Sequence, residues 1–262
     1  MVRLFFLDTE GSADILSKKA EEKTAFPDKT YEEMLLSQLP DNLRAKIEGT
    51  NNTELRADRI LTYTLLARAV LTDAPRIYSK GDLTKKDRQK NAPSLIFDEG
   101  GKPRLSDSDF GISLSHTENI SLVAIASQRY ADVGIDVELI NGRAASVATR
   151  FISRYAPDFD IRIGNLCERY EKSGRENIFI FTLEDGNICK ECNSELVFEN
   201  GLTLADLSVL RWCATEAILK AEGGGFASLT RLKEISEGFT VCGGIISYKQ
   251  RRYAVAFAEE KL

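Results

Sequence analysis

Short apolar runs and one long helical segment alternate along the first half of the chain. Val2–Leu7 has the length of a strand, and Ile120–Ala126 is an almost unbroken apolar run of the kind found in buried strands. Val133–Val137 is the next strand candidate. Between the first two runs, an Asn-Asn-Thr sequence ending at Thr53 can cap a helix that extends to about Leu71. The pattern predicts a strand, a long helix and a closing β segment.

A second helix is marked by signals at both of its ends. Thr203 stands three residues before Asp206, as in a capping box, and a Gly-Gly-Gly sequence at residues 223–225 is typical of a helix end. Beyond it, Phe239–Tyr248 and Tyr253–Phe257 flank a polar Lys-Gln-Arg-Arg sequence, which predicts a C-terminal hairpin. The second half therefore has the same order of strand, helix and β segment.

Residues 156–205 differ from the rest of the second half. Asn177–Leu183 is an alternating segment followed by an Asp-Gly pair, and an Asn-Gly pair stands between Leu196–Phe198 and Leu202–Leu204. Asp-Gly and Asn-Gly favour hairpins because the tight turns need positive φ. This segment is therefore predicted to be a β-hairpin insertion.

These elements predict an α+β fold with two pseudo-symmetric halves. Each half is expected to be a small antiparallel sheet packed on a long helix, with the hairpin insertion in the second half. The predicted boundaries are residues 1–129 and 130–262, with the insertion at about 156–205. The sequence similarity between the halves is too faint to establish a repeat.

Composition and charge narrow the class of protein. The 262 residues carry a net charge of −5, which argues against nucleic acid as a partner. No stretch approaches the roughly 18 apolar residues of a membrane span, so no membrane partner is expected. Five cysteines, an odd number without a dense framework, favour a reducing compartment. We therefore expect a cytoplasmic protein.

Two acids on one predicted strand are the first candidates for chemistry. In the Gly-Ile-Asp-Val-Glu sequence at residues 134–138, Asp136 and Glu138 project from the same strand face. Neighbouring carboxylates repel each other, and a hard divalent cation such as Mg²⁺ or Mn²⁺ removes that cost. The alternative is a solvent-facing strand that happens to carry two acids.

The predicted second helix carries a polar face as well as an apolar one. Glu216 and Lys220 are four residues apart, and Trp212 lies on the same side of the helix. A Trp beside them indicates the wall of a cleft, whereas the alternative is an ordinary Glu–Lys surface pair. The expected apolar stripe on the other side comprises Leu207, Leu210, Ala214, Ile218 and Ala221.

His116 is the one histidine of the chain. It stands between Ser115 and Thr117, just before the buried strand at residues 120–126. Hydroxyls, an imidazole and backbone N–H groups at a strand entry can hold a phosphate. A lone histidine is more often structural, and that alternative stays open here.

Taken together, these sequences resemble the ordered motifs of the 4′-phosphopantetheinyl transferase superfamily. The three are Ser-His-Thr at 115–117, Gly-Ile-Asp-Val-Glu at 134–138 and Trp-x-x-x-Glu-Ala-x-x-Lys at 212–220. A Gly-Lys-Pro sequence at 101–103 and Arg59 also match the family. The resemblance covers roughly residues 55–140 and 205–260. The length is similar to that of the monomeric, surfactin-synthetase-activating type, which has two fused halves.

The resemblance implies an activity and its partners. Such enzymes transfer 4′-phosphopantetheine from coenzyme A to a serine hydroxyl of an apo acyl or peptidyl carrier protein. The products are the holo carrier protein and 3′,5′-ADP, and the reaction depends on Mg²⁺ (or Mn²⁺). Coenzyme A is the substrate, and the cleft between the halves is its expected site.

The resemblance also implies roles for single residues. Asp136, Glu138 and Glu216 are expected to ligate the metal, and Glu216 is also expected to act as the general base for the carrier serine. Lys220 is expected to contact coenzyme A and neutralise charge on its phosphate as the bond breaks. The remaining residues expected to hold the phosphates are His116 and Lys102, with Ser115 and Arg59 as weaker candidates.

Three features depart from the family pattern. The family usually has Lys directly before the helix Glu, where this chain has Thr215, and Arg211 is a speculative substitute. The 156–205 insertion is expected to modify the choice of carrier. Cys189 and Cys192 form one C-x-x-C pair, which is a poor zinc signal. The alternative function is a degenerate family member that binds coenzyme A or a carrier protein without catalysis, and an unrelated nucleotide-binding enzyme is a third possibility.

Overall fold

The computed structural model describes a large part of the chain in several ranges. These are residues 2–9, 16, 30–39, 41–77, 95–98, 102–106, 108–155, 161–163, 166–168, 178–183, 196–198 and 202–262. The Asp-Gly and Asn-Gly pairs of the insertion, the C-x-x-C pair and Gly101 lie outside the described residues.

Groups of helices and groups of strands follow one another along these ranges. The α-helices are α1 (Tyr31–Gln38), α2 (Asp41–Glu48), α3 (Thr53–Ile77), α4 (Gly142–Tyr155), α5 (Leu204–Glu222) and α6 (Leu232–Ser236), and a 3₁₀ helix spans Gly225–Arg231. The strands are β1 (Arg3–Asp8), β2 (Leu95–Phe97), β3 (Pro103–Leu105), β4 (Phe110–Thr117), β5 (Ile120–Arg129), β6 (Val133–Leu139), β7 (Arg162–Ile163), β8 (Leu166–Glu168), β9 (Ile178–Leu183), β10 (Leu196–Phe198), β11 (Phe239–Tyr248) and β12 (Arg251–Glu260).

The strands form two main sheets. The first sheet has the order β4-β5-β1-β9-β8, and all of its pairs are antiparallel. The second has the order β10-β11-β12-β6, also antiparallel, and β7 adds to β11 in parallel. A separate pair, β2–β3, lies off both sheets. The described structure is therefore mixed α+β with small, mainly antiparallel sheets.

Three apolar cores stack the elements into four layers. One core lies between α3 and the first sheet, a second between the two sheets, and a third between the second sheet and α5. Side chains alternate between cores along β5, where Val123 faces α3 and Leu122 faces the second sheet. Because β5 is covered on both faces, its sequence is an almost unbroken apolar run.

The long helices follow the local sequence signals closely. Thr203 caps α5 in a full capping box with Asp206, and Gly223 ends the helix at φ 93°. Helix α3 starts at Thr53 as predicted but extends to Ile77, past the expected end near Leu71. The extra turn is held by packing, because Ile77 is buried and Asp73 forms an ion pair with Arg3 at 2.8 Å.

Leu207 was expected on the buried stripe of α5, but it is 38% exposed. The remaining members of that stripe are buried, and so are Val209, Cys213 and Ala217 beside them. The buried face of α5 is therefore wider and rotated relative to the predicted stripe. The wider face is buried because α5 packs on the second sheet.

The described strands of the insertion do not form a separate module. β8 pairs with β9, and β9 then pairs with β1 of the first sheet, although both strands follow residue 130. β10 pairs with β11. The predicted pairing of Leu196–Phe198 with Leu202–Leu204 is wrong, because α5 already begins at Leu204. The capping box overrides the hairpin tendency of the Asn-Gly pair.

The edge strands β4 and β6 bring the two packed sheets into contact along one side. The Ser113 hydroxyl of β4 accepts a hydrogen bond from the backbone N–H of Ile135 in β6 at 3.1 Å. On its other side, β6 touches α5 so closely that a Cβ on Gly134 would overlap the backbone carbonyl of Ala217. Three elements distant in sequence thus converge at one seam.

Among the described helices, none is both long and apolar enough to cross a membrane.

Candidate active site

A cavity of about 280 Å³ opens between β4 and α5 and is also lined by residues of α3, the β2–β3 pair and the start of the 3₁₀ helix. Its polar lining includes Lys102, Ser113, Glu216 and Lys220, and its apolar lining comes mainly from aromatic and aliphatic side chains of both halves. The apolar and small residues are Tyr63, Phe97, Pro103, Leu114, Leu219, Gly223, Gly225 and Phe226. The cavity has the character of a small-molecule site, with a few polar groups on an apolar wall.

Asp136 is the centre of the polar contacts. Its side chain is 3% exposed, and its Oδ1 accepts from Lys220 Nζ at 2.6 Å and from Ser115 Oγ at 2.9 Å. Lys220 Nζ also donates to Ser115 Oγ at 3.1 Å. The other carboxylate oxygen, Oδ2, is buried and has no hydrogen-bond partner among the described residues. Residues from three separate motifs therefore touch directly.

Glu138 and Glu216 extend the acidic group on either side of Asp136. Burial, reinforced by the charge of Asp136, raises the pKa of Glu138, while a hydrogen bond from Trp212 and the charge of Lys220 oppose that rise. Burial and Asp136 raise the pKa of Glu216 to about 7, against the opposing charge of Lys220. The charge of Asp136 therefore disfavours the ionised forms of both Glu138 and Glu216, as expected of neighbouring acids.

The acids have the chemistry of a divalent-cation site but are not closed around one. In the part of the chain that the structure describes, no three His, Cys, Asp or Glu side chains are grouped closely enough to hold a metal ion. Lys220 instead occupies Oδ1 of Asp136. The donor set nevertheless fits Mg²⁺ or Mn²⁺, because all three candidate ligands are carboxylates and a buried oxygen of Asp136 lacks a donor.

Lys102 lies at the other end of the cavity and is buried. Its ammonium donates to the carbonyl of Ala221 at the end of α5 and forms an ion pair with Asp132 at 2.8 Å. Burial lowers the pKa of Lys102, and Asp132 opposes that change. In this structure the ammonium thus stabilises the C-terminal end of the helix that carries Glu216 and Lys220.

Arg59 and His116 lie on the other side of β4 from the acids. Ser115 points toward Asp136, so His116, the next residue on the strand, points to the opposite face, where α3 packs. His116 is exposed and is paired in register with Ser121, whose hydroxyl bonds Thr62 of α3. Arg59, one turn earlier on α3, donates to Thr50 at 2.6 Å. The structure therefore separates these two side chains from the acidic centre.

Trp212 belongs to an aromatic row along the outside of the site. Its ring packs edge-on to Phe151 at 4.4 Å and nearly parallel to Phe226 at 6.3 Å, and it hydrogen-bonds Glu138. Phe226, 59% exposed, also lines the cavity. The sequence motifs indicated Trp212 but not Phe226, Tyr63 or Phe97, which carry no local signal of their own.

Thr215 is fully buried in α5, and its hydroxyl donates to the carbonyl of Arg211 at 2.9 Å. The side chain at this position therefore faces the core rather than the cavity. Cys213 is buried nearby, and burial together with the charges of Asp136 and Glu138 raises its thiol pKa well above the usual range.

No protein-family model and no curated protein matches this chain.

Proposed function

We propose that this chain is a Mg²⁺-dependent 4′-phosphopantetheinyl transferase that acts on a serine of an apo carrier protein. The observation that carries the proposal is the direct contact between members of the three motifs. Ser115, Asp136 and Lys220 form a closed triangle although Lys220 is 105 and 84 residues away from the other two. The fold therefore brings together three motifs that are distant in sequence, beside one cavity.

The cavity suits one end of coenzyme A. Its apolar wall, with Tyr63 and Phe97, can take the apolar faces of an organic ligand, and its polar end carries ammonium groups that attract phosphate. Arg59 and His116 are available to a phosphate on the α3 side of β4. Lys102 fixes the end of α5. We also propose that it contributes to binding a phosphate of coenzyme A.

Glu216 is suited to be the general base. With a pKa of about 7, it is partly ionised near neutral pH and can accept the proton of the carrier serine hydroxyl. Lys220 lines the cavity and supplies positive charge to phosphate oxygens as the bond to 3′,5′-ADP breaks. Asp136, Glu138 and Glu216 would hold Mg²⁺, which polarises the pyrophosphate when it is bound.

The direct test uses purified protein with coenzyme A, Mg²⁺ and a panel of apo acyl and peptidyl carriers. Mass spectrometry should show a gain of one phosphopantetheine on the active serine of at least one carrier. Glu216→Gln should lose the transfer activity, whereas Glu234→Gln, an exposed acid on α6, should keep it. Transfer by Glu216→Gln at the full rate would remove the assignment of the base.

The second candidate function is binding without transfer. It is favoured by one observation, the occupation of Asp136 by Lys220 in place of a closed three-carboxylate site. Coenzyme A binding without a mass gain on any carrier would support this candidate and contradict the first.

The organisation of the chain forms part of the proposal. α3 with the first sheet and α5 with the second sheet are proposed to be two pseudo-symmetric halves, with residues 156–205 inserted in the second. We propose a monomer in the cytoplasm, where coenzyme A and carrier proteins are available. Cys213 and Cys242 are buried and form no disulfide, which is compatible with a reducing compartment.

A further inference from the structure

The ion pair of Lys220 and Asp136 has the geometry of an occupied cation site. Lys220 Nζ lies 2.6 Å from Oδ1 of Asp136, and Ser115 closes the triangle by contacting both groups. The Asp136 side chain is 3% exposed and that of Lys220 is 34% exposed. The lysine thus reaches inward from the solvent side to a buried carboxylate.

Asp136 is only half satisfied by this arrangement. Oδ1 accepts two hydrogen bonds, while Oδ2 is buried without a partner among the described residues. A buried carboxylate oxygen without a donor is costly. The thiol of Cys213 also interacts with Asp136, but a thiol is a weak donor, so the carboxylate can still accept a cation.

The positive charge of Lys220 also acts on the neighbouring acids. It lowers the pKa values of both Glu138 and Glu216, against the burial and mutual repulsion that raise them. The ammonium of Lys220 therefore offsets part of the negative charge of the neighbouring carboxylates. A divalent cation ligated by the same carboxylates would repel this ammonium, and the two would compete for Oδ1.

We propose that Lys220 is the resident counter-ion of Asp136 and that its ammonium leaves Asp136 when a divalent cation binds. The lysine stem can make this move, because it has four rotatable bonds and already lines the cavity. Its charge then faces the cavity instead of the acids. This inference rests on the proposed function for its purpose: the ammonium becomes available to a phosphate only once the cation is in place.

The first experiment measures Mn²⁺ binding alone, by electron paramagnetic resonance of the free ion. Lys220→Gln should bind Mn²⁺ about tenfold more tightly than the wild type, because the competing charge is gone. Lys220→Arg, the matched control that keeps the charge, should bind as weakly as the wild type. Asp136→Asn should lose the site in either background.

The second experiment uses the unaltered chain, so it does not depend on how a variant folds. Acetylation of lysines by an amine-reactive ester is followed by mass spectrometry with and without Mg²⁺. Lys220 should become several-fold more reactive when Mg²⁺ is present, since its ammonium is released from Asp136. Lys233, exposed on α6, is the internal control and should not change.

Three results would overturn the inference: Lys220→Gln binding no tighter than the wild type, Lys220 reactivity unaffected by Mg²⁺, or Asp136→Asn retaining wild-type Mn²⁺ binding. None of these measurements uses coenzyme A or a carrier. Failure of the transferase proposal, seen as no mass gain on any carrier, is therefore a separate result.

Discussion

At the scale of single residues, the site is defined by an imbalance of charge. Asp136, Glu138 and Glu216 are gathered around one ammonium, and the pKa of Glu216 is raised to about 7 as a result of burial and repulsion. Such an arrangement lowers the stability of the fold, because buried neighbouring carboxylates repel each other. It is also typical of functional sites, where groups with shifted pKa values are found. Two predictions follow from the side chains concerned.

The first concerns the pH dependence of stability in the metal-free protein. The pKa of Glu216 is about 7 in the folded chain against an ordinary value of 4.5, so the folded state retains a proton that the unfolded state releases. Stability should therefore fall as pH rises from about 4.5 through 7. Glu216→Gln, which cannot ionise, should melt about 4 °C or more above the wild type at pH 8.5 and close to it at pH 4.

Thermal unfolding followed by circular dichroism across this pH range tests the prediction. The exposed Glu237→Gln is the matched control and should keep the same small difference from the wild type at every pH. A Glu216→Gln difference that does not change with pH would contradict the raised pKa.

The second residue-scale prediction concerns His116, which lies away from the acidic centre. If His116 holds the 3′-phosphate, His116→Ala should weaken coenzyme A binding about tenfold, the typical value of one charge-assisted contact. Dephospho-coenzyme A, which lacks that phosphate, should bind the variant and the wild type equally. Calorimetric titration provides both affinities, with Gln128→Ala, an exposed change on β5, as the control. Equal losses for both ligands would contradict this role.

At the scale of elements, the close packing of α5 on β6 fixes the distance between the motifs. Gly134 allows this approach, because any Cβ there would overlap the backbone of α5 at Ala217 and Ala221. Since Glu216 and Lys220 are on that helix and Asp136 on that strand, the packing distance is also the site distance.

Gly134→Ala should therefore destabilise the fold by about 2 kcal/mol or more through overpacking, and should weaken the Lys220–Asp136 ion pair. Chemical denaturation measures the first effect, and the Mn²⁺ affinity measures the second. Gly142→Ala is the matched control, since a Cβ there meets nothing within 4 Å at the start of α4. A Gly134→Ala protein as stable as this control would show that the helix can move away freely.

The sequence predicted the helices and strands better than it predicted which of them contact one another. The start and end of α5 were predictable because Thr203, Asp206 and Gly223 act on backbone groups a few residues away. The partner of Lys102 was not, since Asp132 and the Ala221 carbonyl are brought to it only by tertiary packing. The pairing of β10 was missed for the same reason, because an Asn-Gly pair carries no information about β11.

At the scale of the whole molecule, the segment after α4 is part of both sheets. Its strand β9 covers the edge of β1 over Arg3–Leu7, and its strand β10 (Leu196–Phe198) pairs with Ile246–Tyr248 of β11. The segment therefore protects strand edges, whatever it contributes to the choice of carrier.

Deleting residues 164–200 and joining the ends with a glycine-serine linker should expose the edges of β1 and β11. We expect a lower melting temperature and self-association through the uncovered edges. Light scattering coupled to size-exclusion chromatography detects the association. A monomeric deletion variant with an unchanged melting temperature would mean that β8–β10 are dispensable for the sheets, and it would allow carrier choice to be tested by deletion.

The pairing of β6 with β12 determines how late in the synthesis of the chain the site can form. Asp136 lies opposite Ala256 and Glu138 opposite Ala254, so the acidic strand is held in its sheet by residues that follow every motif along the chain. During synthesis, a ribosome-bound chain would already contain all the acids and Lys220 before β12 emerges. Until then β6 lacks its pairing with β12, so a nascent or truncated chain contains these side chains without the complete sheet that supports them. We therefore expect the proposed binding of a metal ion to appear only when folding is complete.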